Sequence, residues 1–181
     1  NGIDVSRFQC LSCASQDERP TVALIGRVVP IKDVKTFISA AAIIRQRIAN
    51  LRVLVMGPTE EDEAYFKECC QLVTELGLSD CVTFTGSVRI TDLMPTIHVI
   101  VLTSLSEAQP LVLLEAGAAG IPCVATNVGA CREIIEALGE EGAAPEPGGF
   151  VTDVVAPDQV ADRVCQLLAN EALRRRFGET L

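Results

Sequence analysis

The stretch His98 to Thr126 reads "HVIVLTSLSEAQPLVLLEAGAAGIPCVAT", and its two ends decide the fold. "HVIVLTS" and "IPCVAT" are short and apolar almost throughout, without alternation, as strands covered on both faces of a parallel sheet are. Between them, Pro110 to Gly120 has helical character, so the stretch predicts strand, helix, strand. Parallel strands joined this way form a βαβ crossover. Similar runs recur upstream as "TVALIGRV", "LRVLVMGP" and "CVTFTG", and downstream as the weaker "GGFVTD". Helical patterns over Asp33 to Asn50, Glu60 to Gly77, Gly129 to Leu138 and Pro157 to Asn170 separate them. The expected class is α/β, an open, doubly wound, mostly parallel six-stranded sheet with helices on both faces. Ligands of such sheets bind beyond the carboxyl ends of the strands, which directs attention to the strand-to-helix turns.

Composition narrows the ligand. The chain of 181 residues has 49% hydrophobic and 22% charged residues, enough for one well-buried domain, and a formal charge of −9. That charge argues against general affinity for nucleic acid, whose phosphates are bound through Lys and Arg, so any phosphate site must be local. No run reaches the roughly 18 apolar residues of a membrane helix, and "NGIDVSRFQC" lacks the regions of a secretory signal; a soluble, cytoplasmic chain is expected. Most of the eight cysteines (10, 13, 69, 70, 81, 123, 131 and 165) lie in apolar runs, where a reduced thiol acts as a small hydrophobe. Cys10 and Cys13 form a single C-x-x-C with no second pair, so no metal is expected. The one histidine, His98, is expected to be packed or hydrogen-bonded.

The turns carry the chemistry. After the first strand, "GRVVPIKD" places Arg27 and Lys32 at the ligand edge of an acidic domain, yet it resembles neither a dinucleotide fingerprint nor a Walker A loop. Solvated surface charges would look the same. In "MGPTEED", Gly57 marks either a close backbone approach or a tight turn. After the fourth strand, Glu107 lies in the loop and Pro110 is placed to be the first residue of a helix. The free N–H groups of Leu111, Val112 and Leu113 would then face an anion with the helix dipole behind them. Glu115, a little over one turn further, is a carboxylate on an apolar segment and needs a partner. A sugar or ribose diol supplies two hydroxyl donors to one carboxylate. Spacing alone leaves open that Glu115 caps a neighbouring helix or pairs with an arginine, and that Glu107 is an exposed loop acid.

The E-x7-E of Glu107 and Glu115, preceded by "GRVVPIKD" and "VTFTGSV" and followed by "GIPCVATNVGACREII", resembles the C-terminal nucleotide-sugar-binding domain of retaining glycosyltransferases of family 4. The resemblance runs from about Arg19 to the end and implies a Rossmann-like half of a GT-B fold. "SEAQPLVLLEA", in place of the commoner "EGFGLPLLEA", and "VPIKD", in place of "P-x-KG", are most similar to the PelF subfamily, which makes the Pel exopolysaccharide in bacteria. The resemblance assigns Arg27 and Lys32 to a donor diphosphate, with the Leu111, Val112 and Leu113 amides, and Glu115 to the ribose hydroxyls. Gly86, Ser87 and Val88 fall where relatives grip the base, and Gly57 and Gln109 join the donor contacts. Glu107 would be the catalytic-site carboxylate, positioning the hexose near the anomeric carbon, not a nucleophile. Glu133 matches a recurrent acidic position without an assigned role. Departure of UDP through an oxocarbenium-like transition state would be stabilised by the cations and the helix start, with no cofactor or metal.

By the same resemblance, residues 1–18 are expected to be an interdomain linker remnant beginning "NGID". Residues 19–181 would be the donor domain of a protein whose N-terminal acceptor domain is absent here. Expected partners are a UDP-hexose such as UDP-glucose, a polysaccharide acceptor reached through that missing domain, and membrane-bound polysaccharide machinery, with no nucleic acid. Two alternatives stand beside this: a GT-B-type nucleotide-sugar epimerase, which should lack this E-x7-E in these flanks, and a flavodoxin-like or receiver-like regulatory domain. A receiver needs an acidic cluster after its first strand, where this chain has Arg27.

Overall fold

The computed structural model describes residues 2–8, 19–136 and 147–181. The C-x-x-C of Cys10 and Cys13, most of the 1–18 linker segment, and Leu138 lie outside the described residues. Six strands form one sheet: β1 (Thr21–Ile25), β2 (Arg52–Met56), β3 (Val82–Gly86), β4 (Val99–Leu102), β5 (Cys123–Thr126) and β6 (Gly149–Thr152). Their order is β3-β2-β1-β4-β5-β6 and every pairing is parallel, so the sheet is doubly wound as the apolar runs imply. The order reverses between β1 and β4, which opens a crevice at their carboxyl ends.

Among the described residues seven α-helices accompany the strands: α1 (Val34–Arg47), α2 (Glu63–Glu75), α3 (Ile90–Leu93), α4 (Leu111–Ala118), α5 (Cys131–Ile135), α6 (Pro157–Ala169) and α7 (Glu171–Thr180). Two apolar clusters cover the two faces of the sheet. One joins Val22, Val53 and Val101 to α1, α2 and α6 through Phe37, Ile38, Cys69 and Val164. The other joins Ala23, Leu54 and Ile100 to α4 and α5 through Leu113, Ala116, Cys131 and Ile135, and also takes in Phe8. Alternate residues of β1, β2, β4, β5 and β6 feed opposite clusters, which is why these strands read as nearly continuous apolar runs, whereas edge strand β3 gives Val82 and Phe84 to one cluster only. Burial pushes the Cys69 and Cys131 thiols up to about 11, and that of fully enclosed Cys123 further, so these are inert core groups. Among the described residues, no helix is long and apolar enough to cross a membrane.

Helix ends differ from the sequence expectations by a few residues, for local reasons. Asp33 is not the first residue of α1 but its N-cap, with φ 44° and ψ 52°, and its carboxylate accepts from the Thr36 amide at 3.3 Å. Asp62 caps α2 in the same way, accepting from Tyr65 N at 2.9 Å. His98 sits at the opposite end of the sheet from the crevice. Its Nδ1 accepts from the Thr21 amide at 3.2 Å, the hydrogen-bonded role expected of it.

Candidate functional site

Four turns meet at the carboxyl edge of the sheet, and backbone contacts fasten them to one another. Gly26 N donates to Met56 O at 2.9 Å, Val28 N to Pro58 O at 2.9 Å and Gly57 N to Gly86 O at 3.1 Å, locking the turns after β1, β2 and β3 together. Gly57, at φ 151°, is where Gly26 passes: a Cβ there would lie 2.1 Å from the Gly26 carbonyl oxygen. Its glycine identity is explained by the neighbouring turn. The turn after β4 is tied to that after β1 by Leu105 N donating to Ile31 O at 2.9 Å. Buried Thr103 adds its hydroxyl, which lies 3.1 Å from Lys32 O and 2.9 Å from Asp33 O.

These ties bring Lys32 and Glu107 into contact. Lys32 Nζ donates to Glu107 Oε1, and Ser104 Oγ donates to the same oxygen at 2.7 Å. The lysine and glutamate side chains are 22% and 12% exposed, so Glu107 is not the exposed loop acid that spacing left open. Ser104 in turn is held by Thr126, whose hydroxyl donates to its carbonyl at 2.7 Å. Lys32, Thr103 and Ser104 line a small crevice between the ends of β1 and β4, together with Leu24, Ile25, Val101 and Leu102. This is the topological switch point of the sheet.

Arg27 points elsewhere. Its guanidinium pairs with Glu61 of the turn after β2 at 2.5 Å, with both side chains about half exposed. Such a surface pair is worth roughly 0 to 1 kcal/mol, so a phosphate could take the guanidinium at little cost.

At the start of α4 the structure corrects one detail. Pro110 has ψ 98° and is the N-cap, not the first helical residue, and Leu113 N donates to its carbonyl at 3.1 Å. The amides left without an intrahelical acceptor are therefore those of Leu111 and Val112; Leu113 is spent. Glu115 lies on α4, half-buried. Burial raises its carboxyl above the usual glutamate range, and the positive charge of Arg7 opposes that only partly. Gln109 is exposed in the loop before α4.

The proposed base-gripping residues are at the other side of the site. Gly86 has φ 65°, and Ser87 and Val88 are exposed beyond β3. Three strand spacings separate β3 from β4, roughly 14 Å at about 4.8 Å each, a span that suits an extended nucleoside diphosphate sugar. Glu133 is exposed in the first turn of α5 and has no partner in the crevice among the described residues. Sequence reasoning missed Thr103, Ser104 and Thr126. Their bonding targets are 71, 3 and 22 positions away, so only the Ser104 to Glu107 spacing could have signalled a contact.

At the switch point of this doubly wound sheet the structure gathers Lys32, Glu107 and Ser104, with the open start of α4 following in the same turn and Glu115 about one turn further along that helix. The chain belongs to the family Glycosyl transferases group 1, which it matches over residues 12–180. It is 31% identical to a GDP-mannose-dependent alpha-(1-6)-phosphatidylinositol monomannoside mannosyltransferase of Mycobacterium tuberculosis, over 92% of this chain and 45% of that one. It is 33% identical to an N-acetyl-alpha-D-glucosaminyl L-malate synthase of Bacillus anthracis, over 82% of this chain and 36% of that one. The chain thus spans less than half the length of these relatives. Anabaena HepE, solved in complex with UDP and glucose, superposes with a TM-score of 0.81 at 24% identity, over 99% of this chain and 49% of that one. The C-terminal domain of the glycosyl transferase LpcC from Francisella tularensis gives 0.80 at 22%, over 99% of this chain and 94% of that one. These two likenesses establish the fold alone, a Rossmann-like doubly wound domain.

Proposed function

We propose that residues 19–181 are the donor-binding domain of a retaining glycosyltransferase that takes a hexose from a nucleoside diphosphate sugar, with UDP-glucose as the first candidate. The observation that carries this is the meeting of Lys32, Glu107 and the open α4 start at the switch point, within a chain of this family. In this reading the Lys32 ammonium and the Leu111 and Val112 amides hold the diphosphate, and Arg27 leaves Glu61 to join them. Glu115, half-buried and without a cation at contact distance among the described residues, takes the ribose diol. Glu107 orients the hexose. As the glycosidic bond to the phosphate breaks, negative charge grows on the departing oxygen, and the cations with the helix start stabilise it.

The family match favours transfer over the epimerase and regulatory-domain alternatives. "SEAQPLVLLEA" and "VPIKD" support a growing bacterial exopolysaccharide as acceptor, as in the Pel system, and a cytoplasmic site of action. A second reading, GDP-mannose as donor, is favoured by the mycobacterial mannosyltransferase at 31% identity. Calorimetric titration with UDP, GDP, ADP and UDP-glucose decides the base, repeated on Glu115→Ala and on Arg27→Ala with Lys32→Ala. Nucleotide binding that weakens in both variants supports the site. Binding that ignores both variants refutes it.

A further inference from the structure

Oxygen Oε1 of Glu107 has two donors, and they differ in what they can do. Lys32 carries its ammonium on a flexible four-carbon stem, and a diphosphate competes for it directly. Ser104 is fixed. It is 1% exposed, its carbonyl is bound by Thr126 Oγ1 at 2.7 Å, and the preceding Thr103 is bonded to the carbonyls of Lys32 and Asp33. We propose that Ser104 is the positioning residue of the sugar site: its hydroxyl keeps Glu107 Oε1 in place when Lys32 turns to the phosphates, leaving Oε2 aimed at a hexose hydroxyl. Thr126, on the neighbouring strand, fixes Ser104 in turn. The inference rests on the donor-site reading and extends it from groups that touch the ligand to one that acts through Glu107.

The consequence is a split within the ligand. Base and diphosphate do not depend on Ser104, whereas the hexose does, through Glu107. A lysine shared with phosphate cannot hold the carboxylate alone, so the sugar's share of affinity should fall when the serine hydroxyl is removed. Bonds to charged groups are strong enough that the loss reads as about tenfold.

The test is the ratio of affinities for UDP-glucose and UDP, with GDP-mannose and GDP run in parallel so that the choice of base does not decide the outcome. Ser104→Ala should keep the nucleotide affinity within about twofold and lower the ratio about tenfold. Glu107→Ala should lower it at least as far, and the double variant should fall no further than Glu107→Ala alone, because without the carboxylate Ser104 has nothing to position. Ser104→Cys, which keeps the volume and a weak donor, should lie between. A Ser104→Ala protein that loses UDP and UDP-glucose equally, or a double variant whose losses add, overturns the inference and leaves the donor reading standing. A wild-type chain that binds neither nucleotide nor nucleotide sugar overturns both.

Discussion

Removing the Lys32 ammonium should expose how much of the site's own stability rests on its ion pair. In Lys32→Met the Glu107 carboxylate, only 12% exposed, keeps Ser104 as its remaining donor. Breaking a fully buried pair costs about 3 to 5 kcal/mol. The surviving serine bond offsets about 1.5 kcal/mol of this, and residual water access a little more, which leaves about 2 kcal/mol. Glu107→Gln should cost only about 1 kcal/mol, since the amide oxygen still accepts and the lysine head can turn to solvent along its stem. If the two groups form one unit, the double variant should cost about 2 kcal/mol instead of the sum of about 3, a coupling near 1 kcal/mol. Urea unfolding of the four proteins measures it, with thermal midpoints expected to fall by about 2 to 4 °C per kcal/mol in a chain of this size. A coupling below about 0.3 kcal/mol would mean that the pair does not persist in solution, and Lys32 and Glu107 would then not share a site.

Four further outcomes follow from single residues. Burial raises the Glu115 carboxyl in the folded state, so folding favours its protonated form. Its ionisation therefore costs stability as pH climbs from the ordinary glutamate value through the raised one. Glu115→Gln should raise the melting temperature at pH 7 by about 1 to 3 °C, lose that advantage on acidification below about pH 4, and still weaken nucleotide binding. Asp33→Asn should stabilise by about 0.5 to 1 kcal/mol in urea unfolding. Asparagine tolerates the left-handed conformation, keeps the cap to Thr36, and removes the charge of a buried Oδ2 that has no partner. Gly129→Ala should cost more than about 3 kcal/mol and disturb the Glu107 loop, because its Cβ would lie 1.9 Å from Glu107 O at φ 50°. Gly77→Ala, at φ 67° with nothing within 4 Å, should cost only about 1 kcal/mol, which calibrates backbone strain alone.

The strands other than β3 were legible because each feeds both apolar clusters, and a run such as "VIVL" has no polar residue to mark a solvent face. Helix ends were less so. Pro110 is equally acceptable as a first helical residue or as a cap, and only its ψ of 98° decides, moving the Leu113 amide out of the anion site. The two carboxylates stood out by their spacing within an apolar segment. Their environments did not: Glu107 is paired and nearly buried, whereas the half-buried Glu115 carboxylate has no hydrogen bond or ion pair among the described residues. Arg27 shows the limit most plainly. A cation at the ligand edge looked uncommitted in "GRVVPIKD", but its partner Glu61 lies 34 positions on, in the turn after the next strand, where no local pattern could connect the two.

The bracing of the turns explains how a loop-built site can be held ready for a charged ligand. Glu107 could not stay beside Lys32 on loop stiffness alone, since each sits on an irregular turn following a different strand. Buried hydroxyls supply what the loops lack. Thr103 bonds the turn that carries Lys32, Ser104 bonds Glu107, and Thr126 bonds Ser104, so three adjacent strands, β1, β4 and β5, determine where one carboxylate stands. Gly129, pressed against the Glu107 carbonyl, closes the arrangement from the turn after β5. In the proposed donor site, a carboxylate held this way need not reorganise when the sugar arrives, which is the condition a positioning group requires. Arg27, half exposed and lightly paired with Glu61, is the contrasting part, a surface cation without such bracing among the described residues.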